Sequence, residues 1–248
     1  MISRTRAALG LGCAQYAVID LPAISWRLAD IRPEWCPEPM FQIYAIGLLA
    51  IYVFAVDRFI RGQRPLWTAA ILYLCLTQFN DWGVAATDSV SVTTTLIGPL
   101  LLTWTLCHTV GGLVRMTAAR CERISIDAMC GVFAAMMAMA AYSKFQISGP
   151  DWADGQTHAM MVFERHLHAP APLRWLRSSL AQSPEACTMG AQAVWLTEAL
   201  APLFIWKGSR RLYAWMVLLM FTSLGLSIGV WEVPWVIIPL ALAYPDKT

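Results

Sequence analysis

The chain has 248 residues, of which 58% are hydrophobic and only 14% charged, and its mean hydropathy is +0.53. Soluble domains carry about a quarter charged residues, so this composition excludes an ordinary soluble domain and points to an all-α polytopic transmembrane bundle. The formal net charge of +2 is uninformative by itself, and nothing in the residues supports a nucleic-acid-binding protein or a metalloenzyme.

Apolar runs predict about seven spans, at roughly 7–26, 41–60, 66–80, 90–114, 126–145, 188–206 and 212–230. Arg4 and Arg6 precede the first run, but no small-x-small cleavage site follows before Asp20, so it is read as a retained helix. The run at 66–80 is short and needs its flanks to reach across the hydrocarbon. A last apolar piece at 233–244, after Gly229 and Pro234, reads as a half-helix, an interfacial segment or a short eighth span. No repeat, low-complexity tract or long linker divides the chain, and residues 1–248 are read as one domain.

The cations set the orientation. Arg4 and Arg6 precede span one. Arg58, Arg61 and Arg64 follow span two, Arg115, Arg120 and Arg123 follow span four, and Lys207, Arg210 and Arg211 follow span six. All four clusters fall on one side if the spans alternate, whereas the loop 80–89 has Asp81 and Asp88 and no cation. The positive-inside rule therefore puts the N-terminus in the cytoplasm, with a bacterial inner membrane as the expected location. The segment 146–187 then lies outside. Within it, Met160, Met161, Phe163 and Leu167 fall near one helical face, as in an amphipathic helix lying on the bilayer, and Leu173, Arg174, Trp175, Leu176 and Arg177 read as a second interfacial piece. Most of the 12 tryptophans stand near span ends, as in an aromatic belt.

Of the seven cysteines, Cys13, Cys75, Cys107 and Cys130 lie in apolar runs and act as small hydrophobes. Cys36 and Cys187 fall in outside loops, where a single disulfide between them is one reading. His158, His166 and His168 lack the spacing of a zinc set, so no metal site is expected.

Ionisable residues inside a bilayer are costly and default to functional hypotheses. Three stand out: Asp20 late in span one, Lys144 at the outer end of span five, and Glu198 near the centre of span six, four residues before Pro202. Three readings of Lys144 stand beside one another. It is a partner of Glu198 in a bundle-stabilising ion pair, a base whose apolar surroundings favour the neutral amine, or a snorkelling anchor.

The stretch Tyr142–Gly155, with Lys144, Phe145, Trp152, Asp154 and Gly155, resembles the signature of the HTTM domain. That is the membrane domain shared by vitamin K-dependent γ-carboxylases and many bacterial proteins. The resemblance covers about residues 125–244, and includes Pro172 to Leu176, the helix with Glu198 and Pro202, and the basic turn at 207–211. It implies that Lys144 is a base acting on a quinone, and that Trp152 and Gly155 shape the turn beside it and help bind the reactant. Glu198 and His158 join Lys144 and Trp152 as candidate catalytic residues. The chain departs from the family at 220–225, which has no histidine.

Two functions follow. One is a membrane enzyme acting on a quinone-like or other lipid-soluble reactant. The other is a non-enzymatic accessory or assembly subunit packed against membrane-protein partners, for which Gly225 and Gly229 offer small-residue spacing. A transporter ranks below both, because no inverted repeat is present.

Overall fold

A computed structural model describes residues 3–20, 31–87, 92–149, 155–166, 169–229 and 232–246. Among these residues every regular element is helical, and no strand occurs. Ten α-helices follow in order. They are α1 (Arg4–Gln15), α2 (Glu38–Ile60), α3 (Pro65–Thr87), α4 (Val92–Leu113), α5 (Ala118–Ser148), α6 (Gln156–His166), α7 (Ala171–Ala181), α8 (Pro184–Ala199), α9 (Arg210–Ile228) and α10 (Val233–Ala243). A π turn, Tyr16–Asp20, extends α1, and a 3-10 turn, Ala201–Phe204, follows α8.

Four of these helices are long and apolar enough to cross a membrane: Glu38–Ile60, Thr95–Leu113, Ala118–Ile147 and Arg210–Ile228. Of the seven or so expected spans, four meet that length and composition among the described residues. The remaining runs differ for identifiable reasons. α3 is 23 residues, well beyond the expected 66–80, because the helix continues through Gln78, Asn80 and Asp81, which lower its apolarity. The run at 188–206 is not one helix. α8 stops at Ala199, since Pro202 has no N–H to give, and the chain tightens into the 3-10 turn with Leu203 N–H bonded to the Leu200 carbonyl at 2.9 Å. α10 is only 11 residues, a half-span.

The chain forms two compact units: 1–132 with 244–248, and 133–243. The long α5 contributes its first half to one and its second half to the other.

In the first unit, α1, α2 and α3 close around Tyr16, Tyr52 and Phe79, all within 1% of full burial. Tyr52 meets Phe79 edge-on at 5.4 Å, and its hydroxyl donates to the Cys13 carbonyl at 2.7 Å. Trp104 packs edge-on against Phe59 at 5.5 Å. Hydroxyls on the apolar helices turn back on their own backbone. Thr77 donates to the Tyr73 carbonyl, and Thr103 and Thr105 donate to those of Pro99 and Leu101, at 2.6 to 2.8 Å. That removes the cost of an unpaired hydroxyl in hydrocarbon. The start of the chain is tied down twice. Ser3 donates to Glu122 Oε1 at 3.0 Å, and Glu122 Oε2 meets His108 at 3.2 Å. Arg4 donates its backbone N–H to Asp246 at 2.8 Å and its guanidinium to the Tyr244 carbonyl at 3.2 Å. Asp246 thus places an anion at the N-terminus of α1, where Ser3 makes no side-chain cap of its own.

The second unit packs α6 to α10 with the C-terminal half of α5. Phe133 on α5 is its apolar centre, fully buried, with Phe204 at 5.3 Å and Trp235 at 5.7 Å. Phe221 stacks on Trp235 at 5.5 Å. α6 exposes Met160, Met161 and Phe163 and buries Val162, so its large apolar side chains face outward, as a helix lying on a bilayer requires. Leu167 lies outside the described residues.

Candidate functional site

The site is built from buried stripes. On α8 the buried residues Cys187, Ala191, Val194 and Glu198 recur at i, i+4, i+7 and i+11, so Glu198 continues an inward-facing apolar row. On α5, Ala134, Met137 and Ala141 are buried, and Lys144 falls three residues on, along the same row. The two helices thereby bring an ammonium and a carboxylate together. Lys144 Nζ donates to Glu198 Oε1, with the Lys144 side chain 24% exposed and the Glu198 side chain 8%. Of the readings open for Lys144, the ion pair is the one the geometry forms.

Glu198 Oε2 is buried and has no hydrogen-bond partner among the described residues. The neighbouring hydroxyls are committed elsewhere. Thr197 donates to the Ala193 carbonyl at 2.7 Å, and the fully buried Tyr213 of α9 donates to the Thr197 carbonyl at 3.0 Å. An unpaired carboxylate oxygen in a low-dielectric interior costs roughly 1–3 kcal/mol or more. The arrangement therefore offers one donor group and one unused acceptor side by side.

The other sequence candidates are placed differently. Gly155 has φ +83, and a Cβ there would lie 2.6 Å from the Thr188 Cα and 2.8 Å from the Cys187 carbonyl carbon. Only glycine fits, because the start of α6 is pressed onto the α8 backbone. This contact is ten residues before Glu198, about 15 Å along the helix. His158 sits one turn into α6 against Gly190, with Nε2 3.4 Å from where a Cβ would be, about 12 Å along α8 from Glu198. Burial pushes its imidazole below the usual histidine value. The structure thus joins Lys144 with Glu198 and sets His158 and Gly155 apart from them. Trp152 and Asp154 lie outside the described residues, as do His168 and the side chains of Asp20 and His166.

Cys36, in the first unit, and Cys187, in the second, are both free thiols. Cys187 is buried in the α8 stripe and points its thiol at the Leu180 carbonyl, 3.3 Å away. It is a core residue of the second unit rather than a loop residue. Among the described residues no group of three or more His, Cys, Asp or Glu is placed to hold a metal ion.

A residue the sequence did not single out is Arg177, which is only 5% exposed. Its guanidinium donates to the carbonyls of Leu226 (2.9 Å) and Gly225 (3.3 Å) at the end of α9 and of Arg165 (3.1 Å) at the end of α6. One cation thus caps two helix C-termini, where orphan carbonyls and the helix dipole both favour positive charge. The signal was present: Arg177 falls among Leu173, Leu176 and Leu180 on the stripe that α7 turns inward. In the first unit, a cavity of about 240 Å³ between α3 and α4 is lined by Tyr73, Thr77, Asn80, Thr95 and Pro99, and contains none of the candidate site residues.

No family model, no curated protein and no solved structure matches this chain.

Proposed function

We propose that the chain is a multi-pass integral membrane protein whose second unit holds a reactant site at Lys144 and Glu198, on the plan of the γ-carboxylase membrane domain. The reactant is a quinone-like or other lipid-soluble molecule. In this reading α1 with its π turn, α3 and α8 complete a seven-pass bundle in a bacterial inner membrane with a cytoplasmic N-terminus. The observation that carries the reading is the buried ion pair whose carboxylate keeps one unsatisfied oxygen. A purely structural ion pair is stabilised by bonding all of its lone pairs, and this one is not.

The test is purification in mild detergent followed by native mass spectrometry and lipid extraction. A monomer or homo-oligomer that retains a quinone is the expected result. A stoichiometric complex with other membrane proteins and no retained quinone would replace this reading with the accessory-subunit one.

A further inference from the structure

In an ion pair the lysine has already used its lone pair to hold a proton. For Lys144 to act as a base it must first pass that proton to Glu198. Whichever order is followed, when the pair takes up one more proton it ends as an ammonium and a carboxylic acid. The group that has changed is the carboxylate. The geometry agrees with this count. Glu198 Oε1 is held by Lys144, Oε2 is the unsatisfied atom, and the Thr197 and Tyr213 hydroxyls donate elsewhere. Lys144 is the more exposed partner of the two.

Resting on the functional reading above, we propose that Glu198 Oε2 is the atom that accepts the hydroxyl proton of a phenol-type, lipid-soluble ligand, and that Lys144 is a positioning residue that stays charged throughout. The ligand's O–H bond breaks, a new O–H bond forms at Oε2, and the electron pair stays on the ligand oxygen. No electrons change hands. The Lys144 ammonium holds Glu198 in place and balances the negative charge left on the ligand. This reverses the assignment implied by the HTTM resemblance, in which the lysine is the base.

The experiment uses the full chain in detergent, with tryptophan fluorescence as the binding signal. The probes are an alkylated phenol whose absorption changes on ionisation, its methyl ether, and a short-chain quinone. The wild type is expected to bind the phenol at least about tenfold more tightly than the ether and to show the phenolate band. Glu198→Gln removes both the preference and the band. Lys144→Arg keeps both, because a guanidinium supplies the charge and cannot act as a base. If Lys144→Arg abolishes the band while Glu198→Gln retains it, the lysine is the base and this inference is overturned. Equal binding of phenol and ether by the wild type overturns it without any variant having to fold, and leaves the functional reading standing. If none of the three probes binds the wild type, the functional reading fails and this inference with it.

Discussion

Arg177 and Glu198 are buried to almost the same degree, 5% and 6% exposed, in the same unit. Their surroundings differ in kind. Arg177 directs its donors at three backbone carbonyls on the ends of two helices. Glu198 uses one oxygen on Lys144 and leaves the other bare. Evenly satisfied buried charge is what a fold uses to fasten itself. Half-satisfied buried charge is stability given up, and it is sustained where something else must bind. The comparison separates a fastening from a candidate site.

Substitutions break or sharpen that comparison. The largest effect is expected from Lys144→Met, which strands the Glu198 carboxylate without its counter-charge and costs about 3–5 kcal/mol. The double change Lys144→Met with Glu198→Leu removes the need for a partner and is expected to restore melting to within about 1 kcal/mol of wild type while abolishing ligand binding. A double variant as unstable as the single would make the pair a fastening like Arg177. Arg177→Met comes next. It leaves the Gly225, Leu226 and Arg165 carbonyls unpaired, and a loss of roughly 3 kcal/mol is expected from hydrogen bonds to a charged group. No apolar second change should rescue it, because the carbonyls remain; thermal melts in detergent read both cases.

Gly155→Ala adds left-handed backbone strain of about 1–2 kcal/mol to a collision with the Thr188 backbone. Proteolysis should report α6 loosening from α8, with the phenol-to-ether ratio unchanged. The smallest effect is a pH dependence. The folded-state value of His158 lies below its ordinary 6.5. The unfolded chain therefore binds the extra proton first, so stability is full above about 6.5 and falls as the pH drops from there toward the folded-state value. His158→Gln should flatten the melting temperature between pH 7 and 5; an unchanged slope would mean another group sets it.

Much of the architecture was legible because bilayer helices must satisfy their own backbone and show it as apolar length. Helices α2, α4 and α9 fall within a few residues of their predicted runs for that reason. The run at 188–206 misled because hydropathy does not register where a backbone donor is missing, and Pro202 lies inside it. α3 was underestimated because Gln78, Asn80 and Asp81 look like a loop by composition while the helix carries on. Within the site, Lys144 and Glu198 were readable as charges in apolar stretches, and their pairing was one of the open alternatives. The missing bond on Oε2 was not readable, since an absence of partners depends on every neighbouring element. Arg177 reads as an interfacial residue in the sequence because its acceptors belong to helices about 12 and 50 positions away. Cys187 stands immediately before the apolar run at 188–206 and so reads as a loop thiol, whereas α8 begins earlier, at Pro184.

The first turn of α1 is completed by Asp246, a residue 242 positions further along. A chain is made from one end to the other, so this helix leaves the ribosome with its leading amide unanswered and waits through the synthesis of every other helix described. The first unit is therefore the earliest to be started and the last to be sealed. A chain that ends before residue 246 lacks the partner of that amide.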